Sequence, residues 1–420
     1  MATLAGGLLA GVSLGAVAQT LAPRDVARGV TVESRARPDY DPLGVRLGAF
    51  RLDTAVEAGA GYDSNLFGSK NNVVSDGYAT EAGSIALASD WTRHAVGVSA
   101  AMQSRQYFSQ NRLDWTDYSI GGFGRYDITA ETNVELAYRH YQEHFDVYNF
   151  DVQAARIGQP VPYNSDEVQA TGSTRFNRVG LLATGLYRTY RFDDINQGAA
   201  TTAASLNDGR VSLNNFNTAI GAIGATYLLT EGRSLTAVVR VQDIDYTNQL
   251  SRARNSLTLE GLLGFQYDFD GVWQGRIAVG WRRRDYEGRI KTLEGAAVEG
   301  NLTYIPSQLT TVTFRVGRTI EESIRQDAVS FIKTTGGVRV DHELQRNVIL
   351  GGELRADRRE YPSPNAATAT DGVLQFDARY LLNRNVALVG TYAYSRRLEN
   401  TGGFQEYNRN LIQFRLRIAL

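Results

Sequence analysis

The sequence contains no cysteine, which excludes disulfide staples and every thiolate site. Lysine is nearly missing. It occurs only at Lys70, Lys291 and Lys333, so arginine supplies the rest of the 44 basic residues. Codon usage accounts for such a bias, and so does a wall on which planar guanidinium forks form ladders with carboxylates. Formal net charge is −1, so there is no basic field for nucleic acid. Beyond the N-terminus, no apolar run approaches the roughly 20 residues of a transmembrane helix. The one helix-like apolar stretch, Leu4–Ala18, ends in Ala16-Val17-Ala18, a small-x-small pattern of signal peptidase sites. The expected division is a signal peptide over 1–18, a proline-bearing periplasmic lead-in over 19–43 and one domain over 44–420.

What is abundant is glycine (42), tyrosine (22) and phenylalanine (16), a balance suited to long strands with tight turns and aromatic rims. From Gly44 onward, runs of strict period-two alternation follow one another, the strand signal. In the last run, Ile412, Phe414, Leu416, Ile418 and Leu420 share one parity; Leu411, Gln413, Arg415, Arg417 and Ala419 share the other. Short turns (Ser89–Thr92, Ile128–Glu131, Asn177–Arg178, Thr230–Arg233, Asp270–Gly271, Pro306–Ser307, Leu344–Asn347, Asn383–Asn385) separate the runs. Longer polar loops (Ser64–Gly77, Asp146–Asn164, Asp193–Leu213, Pro362–Thr370) alternate with them. This is the pattern of an all-β, antiparallel, up-and-down barrel of the outer membrane with about 18 strands, 16 also being consistent. A soluble propeller should repeat a blade motif, and none recurs. A soluble surface would also carry charge across the strand middles, where one face here is nearly uncharged.

In lipid the apolar parity faces out. The expected lumen-lining residues are therefore Arg51, Asp53, Glu57, Arg282, Arg284, Arg315, Arg339, Asp341, Glu353, Arg355, Asp357, Arg359, Asp377, Arg379, Arg415 and Arg417. Wall cross-linking explains most of them, and a polar surface over which hydrated solutes slide is the functional reading. Trp91, Trp115 and Trp273 flank turns or loops and suggest an aromatic girdle.

Catalytic signals are scarce. His140 and His144 share a parity four residues apart, but no Gly-x-Ser-x-Gly elbow accompanies them. A metal pair there is weakly supported against a polar pair at a strand end. Asp63, Asn65 and Asp76 flank a loop with oxygen ligands, for which turn chemistry is the simpler account. Neither enzyme chemistry nor a cofactor is expected. The loop Asp193–Leu213 is long enough to enter the lumen.

The segment Arg37-Pro38-Asp39-Tyr40-Asp41-Pro42-Leu43-Gly44-Val45-Arg46-Leu47-Gly48-Ala49-Phe50, followed by Gly61-Tyr62-Asp63-Ser64-Asn65-Leu66-Phe67, resembles the opening signature of a family of outer-membrane β-barrel porins linked to exopolysaccharide and capsule clusters in proteobacteria. Beyond Phe67 the likeness is architectural. The resemblance implies an outlet for a polysaccharide, seated in outer-membrane lipid by the barrel-insertion machinery and working with a periplasmic polysaccharide export protein. A porin for small hydrophilic molecules is the alternative, and an enzyme or adhesin barrel a third reading.

Overall fold

The computed structural model describes residues 29–154, 157–195, 210–268, 270–325, 328–362, 366–401 and 405–420. The expected signal peptide and its cleavage site lie outside these residues. After a three-residue strand β1 (Val45–Leu47), the chain runs through β2 (Phe50–Asp63), β3 (Asp76–Ser89), β4 (Ala95–Tyr107), β5 (Trp115–Asp127), β6 (Thr132–Phe145), β7 (Val161–Phe176), β8 (Val179–Phe192), β9 (Phe216–Thr230) and β10 (Arg233–Tyr246). It continues through β11 (Ser256–Asp268), β12 (Trp273–Tyr286), β13 (Leu293–Ser307), β14 (Thr310–Glu322), β15 (Ser330–Gln345), β16 (Val348–Tyr361), β17 (Ala367–Leu381), β18 (Val386–Asn400) and β19 (Asn408–Ala419).

Each of these strands pairs antiparallel with its neighbours in sequence. The ring closes where β19 pairs with β2, from Leu411↔Asp63 to Ala419↔Ala55. The result is a closed barrel of 18 strands, β2 to β19, with β1 added beside β2. Closure gives the strand N–H and C=O groups partners within the sheet, which a bilayer requires of any spanning backbone.

The two faces follow the sequence alternation. A transverse row reads Val338↔Leu354↔Leu374↔Tyr394, all on the outer face. Outward aliphatics are bare: Leu263 is 69% and Phe414 68% exposed. In water that would be costly; against acyl chains it is the stable arrangement.

The short connections lie at one end. The Glu231–Gly232 turn uses Gly232 at φ +73°, a left-handed conformation that glycine adopts at little cost. At the Asp270–Gly271 turn, the Asp270 carboxylate accepts from Val272 N and Trp273 N, 2.9 Å each. Those N–H donors hold Asp270 below its usual range, more than offsetting the upward effect of desolvation.

Candidate transport lumen

The register places the sixteen expected residues on the face opposite the bare aliphatics. Fifteen of them make ion pairs, in short links from β12 round to β2. Glu57 accepts from Arg415 (2.8 Å) and Arg417 (2.6 Å) across the closing seam. Arg51 bonds Asp53 at 2.8–2.9 Å. Arg339 donates to Asp341 (3.0 Å) and to Asp377 (3.0 Å), with Glu353 at 3.7 Å. The intervening strand allows this because Gly351 lies between Asp341 and Asp377 in register. A Cβ on Gly351 would stand 2.6 Å from Arg339 Nη2. Arg355 bonds Asp357 at 3.0 Å. Arg284 reaches Glu322 and Thr258, and Arg282 reaches Glu260. Arg359 lies 4.2 Å over the Phe150 ring, with Asp371 at 3.9 Å. Arg315 alone of the sixteen is exposed with no ion pair among the described residues.

Beyond β2 the middle of the wall is different in kind. On the inward face, β3 carries Ala82, Ser84 and Ala86, β4 Ser99 and Ala101, and β5 Ser119 and Gly121. Farther round, charge returns: inward Arg139 and Arg188 lie 3.5 and 3.8 Å from Glu167, while Thr171 and Thr184 hydroxyls meet at 2.9 Å. The lumen wall is thus mostly paired charge, with a small, neutral, hydroxyl-bearing patch on β3 to β5.

Both mouths are spanned. At the loop end, the connection between β6 and β7 turns inward through a short helix, Phe150–Ala154. It reaches strands about half way round the ring. Phe150 is fully buried among Phe331, Tyr361, Ala367 and Ala369, with Arg397 4.2 Å above its ring. The Asp151 carboxylate accepts from Tyr361 Oη and from Ile324 N (3.0 Å). Val152 joins an inward aromatic cluster with Tyr163, Tyr190, Phe192, Phe216 and Tyr246. Under Tyr148, among Arg355, Arg359, Asp371 and Arg409, only about 30 Å³ of free space remains. Among the described residues this loop crosses the lumen. Ile195 and Val211, at the described ends of the loop Asp193–Leu213 that sequence reasoning considered, join the same cluster, and residues 196–209 lie outside the described residues.

At the turn end, residues 29–43 form a strap docked into the mouth. Val32 is fully buried and donates its N–H to Thr311 Oγ1 at 2.9 Å. Arg37, also buried, donates to Glu343 (2.8 Å) and to the Val32 carbonyl (2.7 Å). Arg35 adds a second contact to Glu343, and Arg379 pairs with Glu33. The expected free lead-in is thus tied, over its described part, to inward residues of the barrel.

The histidines and loop carboxylates resolve into local pairs. His140 bonds Asp166 (2.9 Å), which also accepts from Tyr138 Oη (2.7 Å), on the outer face. His144 bonds Asp117 and Asp146 instead. Among the described residues, no three metal-ligating side chains cluster. Asp63 is engaged by Arg409, Asn65 braces its own loop, and Asp76 accepts from Ser109 N and Gln110 N. Trp91 is exposed beside Phe50, and Trp273 stacks on Tyr304. Trp115 departs from the girdle expectation. It is paired in register with inward Arg105, whose guanidinium lies 5.3 Å over its ring, and it stacks on His144.

Sequence reasoning missed a linked set of inward charges, buried Arg240 and Glu260 and half-buried Glu299 on β10, β11 and β13, joined through Arg240. Inward Val238 and Leu262 blur the alternation around them. A concavity of about 1110 Å³ lies outside the lumen. Outward Val96, Tyr126, Leu136, Ile223 and Val239 border it, so it is a dent that acyl chains fill.

A closed 18-strand barrel with a greasy outer wall and a polar inner one defines the porin class of outer-membrane protein. The chain belongs to the family described as Putative beta-barrel porin 2, whose model matches residues 37–420. Among solved structures it is similar to a BenF-like porin from Pseudomonas fluorescens Pf-5 (TM-score 0.48, 10% identity, covering 89% of this chain and 100% of that one). It is also similar to the outer membrane protein opdK from Pseudomonas aeruginosa (0.46, 12%, 88% and 99%) and to the siderophore receptor PirA from Acinetobacter baumannii (0.46, 7%, 87% and 80%). No curated protein matches it. The protein resides in the Gram-negative outer membrane.

Proposed function

We propose that the barrel passes small hydrophilic solutes along its inner face, and that the sixteen ladder residues line the route. The observation that carries this reading is the pairing of the inward charges. Round most of the wall they neutralise one another and leave no deep well. Small and hydroxyl-bearing residues lie between them. A solute exchanges its water for such a surface at little cost and is not trapped. The strap and the loop 146–154 set the size limit. Both are held by a few side-chain contacts rather than by the sheet, so they are the elements that move.

The polysaccharide outlet implied by the opening motif, with its periplasmic export partner, draws no support from this lumen. A stiff hydrated polymer needs a continuous clear bore, and Phe150 is packed against the far wall. Liposome swelling tests the proposal. Vesicles containing the protein should swell in small sugars and amino acids at rates that fall with solute size. Rates equal to those of empty vesicles would remove it.

A further inference from the structure

Near the turn end of the lumen, a cavity of about 260 Å³ lies against β6–β10 and β12. Its inward lining follows two transverse rows of the sheet. One runs Arg175↔Gly180↔Thr226↔Thr236, the next Ser173↔Leu182↔Gly224↔Val238. Glycines at 180 and 224 recess the wall. Gly264, paired with Thr236, recesses it again: a Cβ there would stand 2.7 Å from Thr236 Oγ1.

Arg276 closes one side. Unlike most of the ladder arginines, it makes no hydrogen bond or ion pair among the described residues, and its Nη2 is buried without a partner. The carboxylate that faces it, Glu299, is engaged by Arg240 at 3.0 Å. Thr236, only 6% exposed, also lines the cavity with its hydroxyl unpartnered. Leu182 and Val238 supply an apolar side, packed with Leu262 and Ala278. A guanidinium nitrogen buried without a partner is costly, and a planar carboxylate is the anion that the fork of half-buried Arg276 fits best.

We infer that this vestibule is a binding subsite for a small organic carboxylate with a branched apolar body. Arg276 receives the carboxylate, Thr236 adds a hydroxyl, and Leu182 with Val238 hold the apolar part. The inference rests on the porin reading, since it gives that route a preferred class of solute.

The test is calorimetric titration of the full chain in detergent micelles with isovalerate, run beside single-channel recording of the same preparation. Isovalerate should bind saturably. Isovaleramide, of the same shape without the charge, should bind at least about tenfold more weakly. Arg276→Gln should weaken isovalerate by a similar factor and Arg276→Lys by less. Arg46→Gln, which removes an exposed cation of β1 outside the ladder, should leave it unchanged. Equal binding of acid and amide by the wild-type protein, or loss in Arg46→Gln equal to that in Arg276→Gln, overturns the subsite. Displacement of isovalerate by equimolar inorganic phosphate overturns the apolar part of the assignment. If the protein conducts ions but shows no saturable isovalerate binding, the subsite fails and the porin reading stands. If it binds isovalerate but never conducts, the porin reading fails and the subsite stands.

Discussion

Arg409 donates through Nε to both carboxylate oxygens of Asp63, 2.9 Å each, although 346 positions separate them in the chain. The pair sits where the last strand meets the first, and its side chains are 4% and 0% exposed. The same guanidinium lies 3.9 Å over the ring of Tyr148. One contact thus joins the closing seam to the loop that spans the lumen.

Removing one member of such a buried pair strands the other charge, at about 3–5 kcal/mol. Arg409→Ala should therefore lower the temperature at which the heat-modifiable band converts on unboiled gels. Asp63→Asn combined with Arg409→Gln should lose less than the sum of the two single changes, since no charge is left alone. Additive losses would show that the two residues do not act as a pair.

The strap is held mainly by Arg37 on Glu343 and by Val32 in its pocket. Val32→Asp should place a charge where the side chain is fully enclosed, which costs several kcal/mol and releases the strap. Single-channel current at fixed voltage should rise, and a protease added from the turn side should cut within residues 29–43. Unchanged current and protection would mean that the strap does not restrict the mouth.

The loop carries its own titration. Burial raises Asp151, and hydrogen bonds from Tyr361, Ser323 and Ile324 N only partly offset this. Its docked pKa is above the released value, so the docked loop binds the proton more readily. Docking therefore strengthens as pH falls through the raised pKa and weakens as pH rises above it. Asp146 works oppositely: burial would raise it, but the His144 bond and nearby Arg409 and Arg105 hold it low. Its contribution is lost only at pH below the ordinary carboxylate range. Conductance should decline as pH is lowered toward the ordinary carboxylate range, the decline setting in above that range, and Asp151→Asn should flatten that slope. A slope unchanged in Asp151→Asn would assign the titration elsewhere.

Gly351→Val should disturb the ladder at one point. The added side chain meets Arg339 Nη2 at 2.6 Å from Cβ alone, so the guanidinium must leave the line between Asp341 and Asp377. That frees two inward carboxylates, and cation-over-anion selectivity, read from reversal potentials, should increase. An unaltered reversal potential would mean that these carboxylates do not face the ion path.

Much of this was legible in the alternation. In β2 and β19 every charged side chain falls on the inward parity and none on the outward one, so one period fixes both face and register. Reading failed where the inner face itself turns apolar. Val238 and Leu262 interrupt the polar parity, and the Arg240–Glu260–Glu299 link went unseen beside them. Trp115 misled because an aromatic at a strand end belongs equally well to a lipid rim or to an inward stack on His144. The lumen-spanning loop was invisible for another reason. Phe150, Asp151 and Val152 are ordinary loop residues until strands half way round the ring supply Tyr361, Arg397 and Tyr246. No local pattern encodes a contact across a closed circle.

The chain's lack of cysteine makes the most direct test clean. Arg315→Cys and Val316→Cys, neighbours on opposite faces of β14, would each be reconstituted in a bilayer and treated with a charged, membrane-impermeant thiol reagent while current is recorded. Arg315→Cys should be modified and its current should fall, while Val316→Cys stays unmodified with steady current. Modification of Val316→Cys, with Arg315→Cys left untouched, would contradict the account.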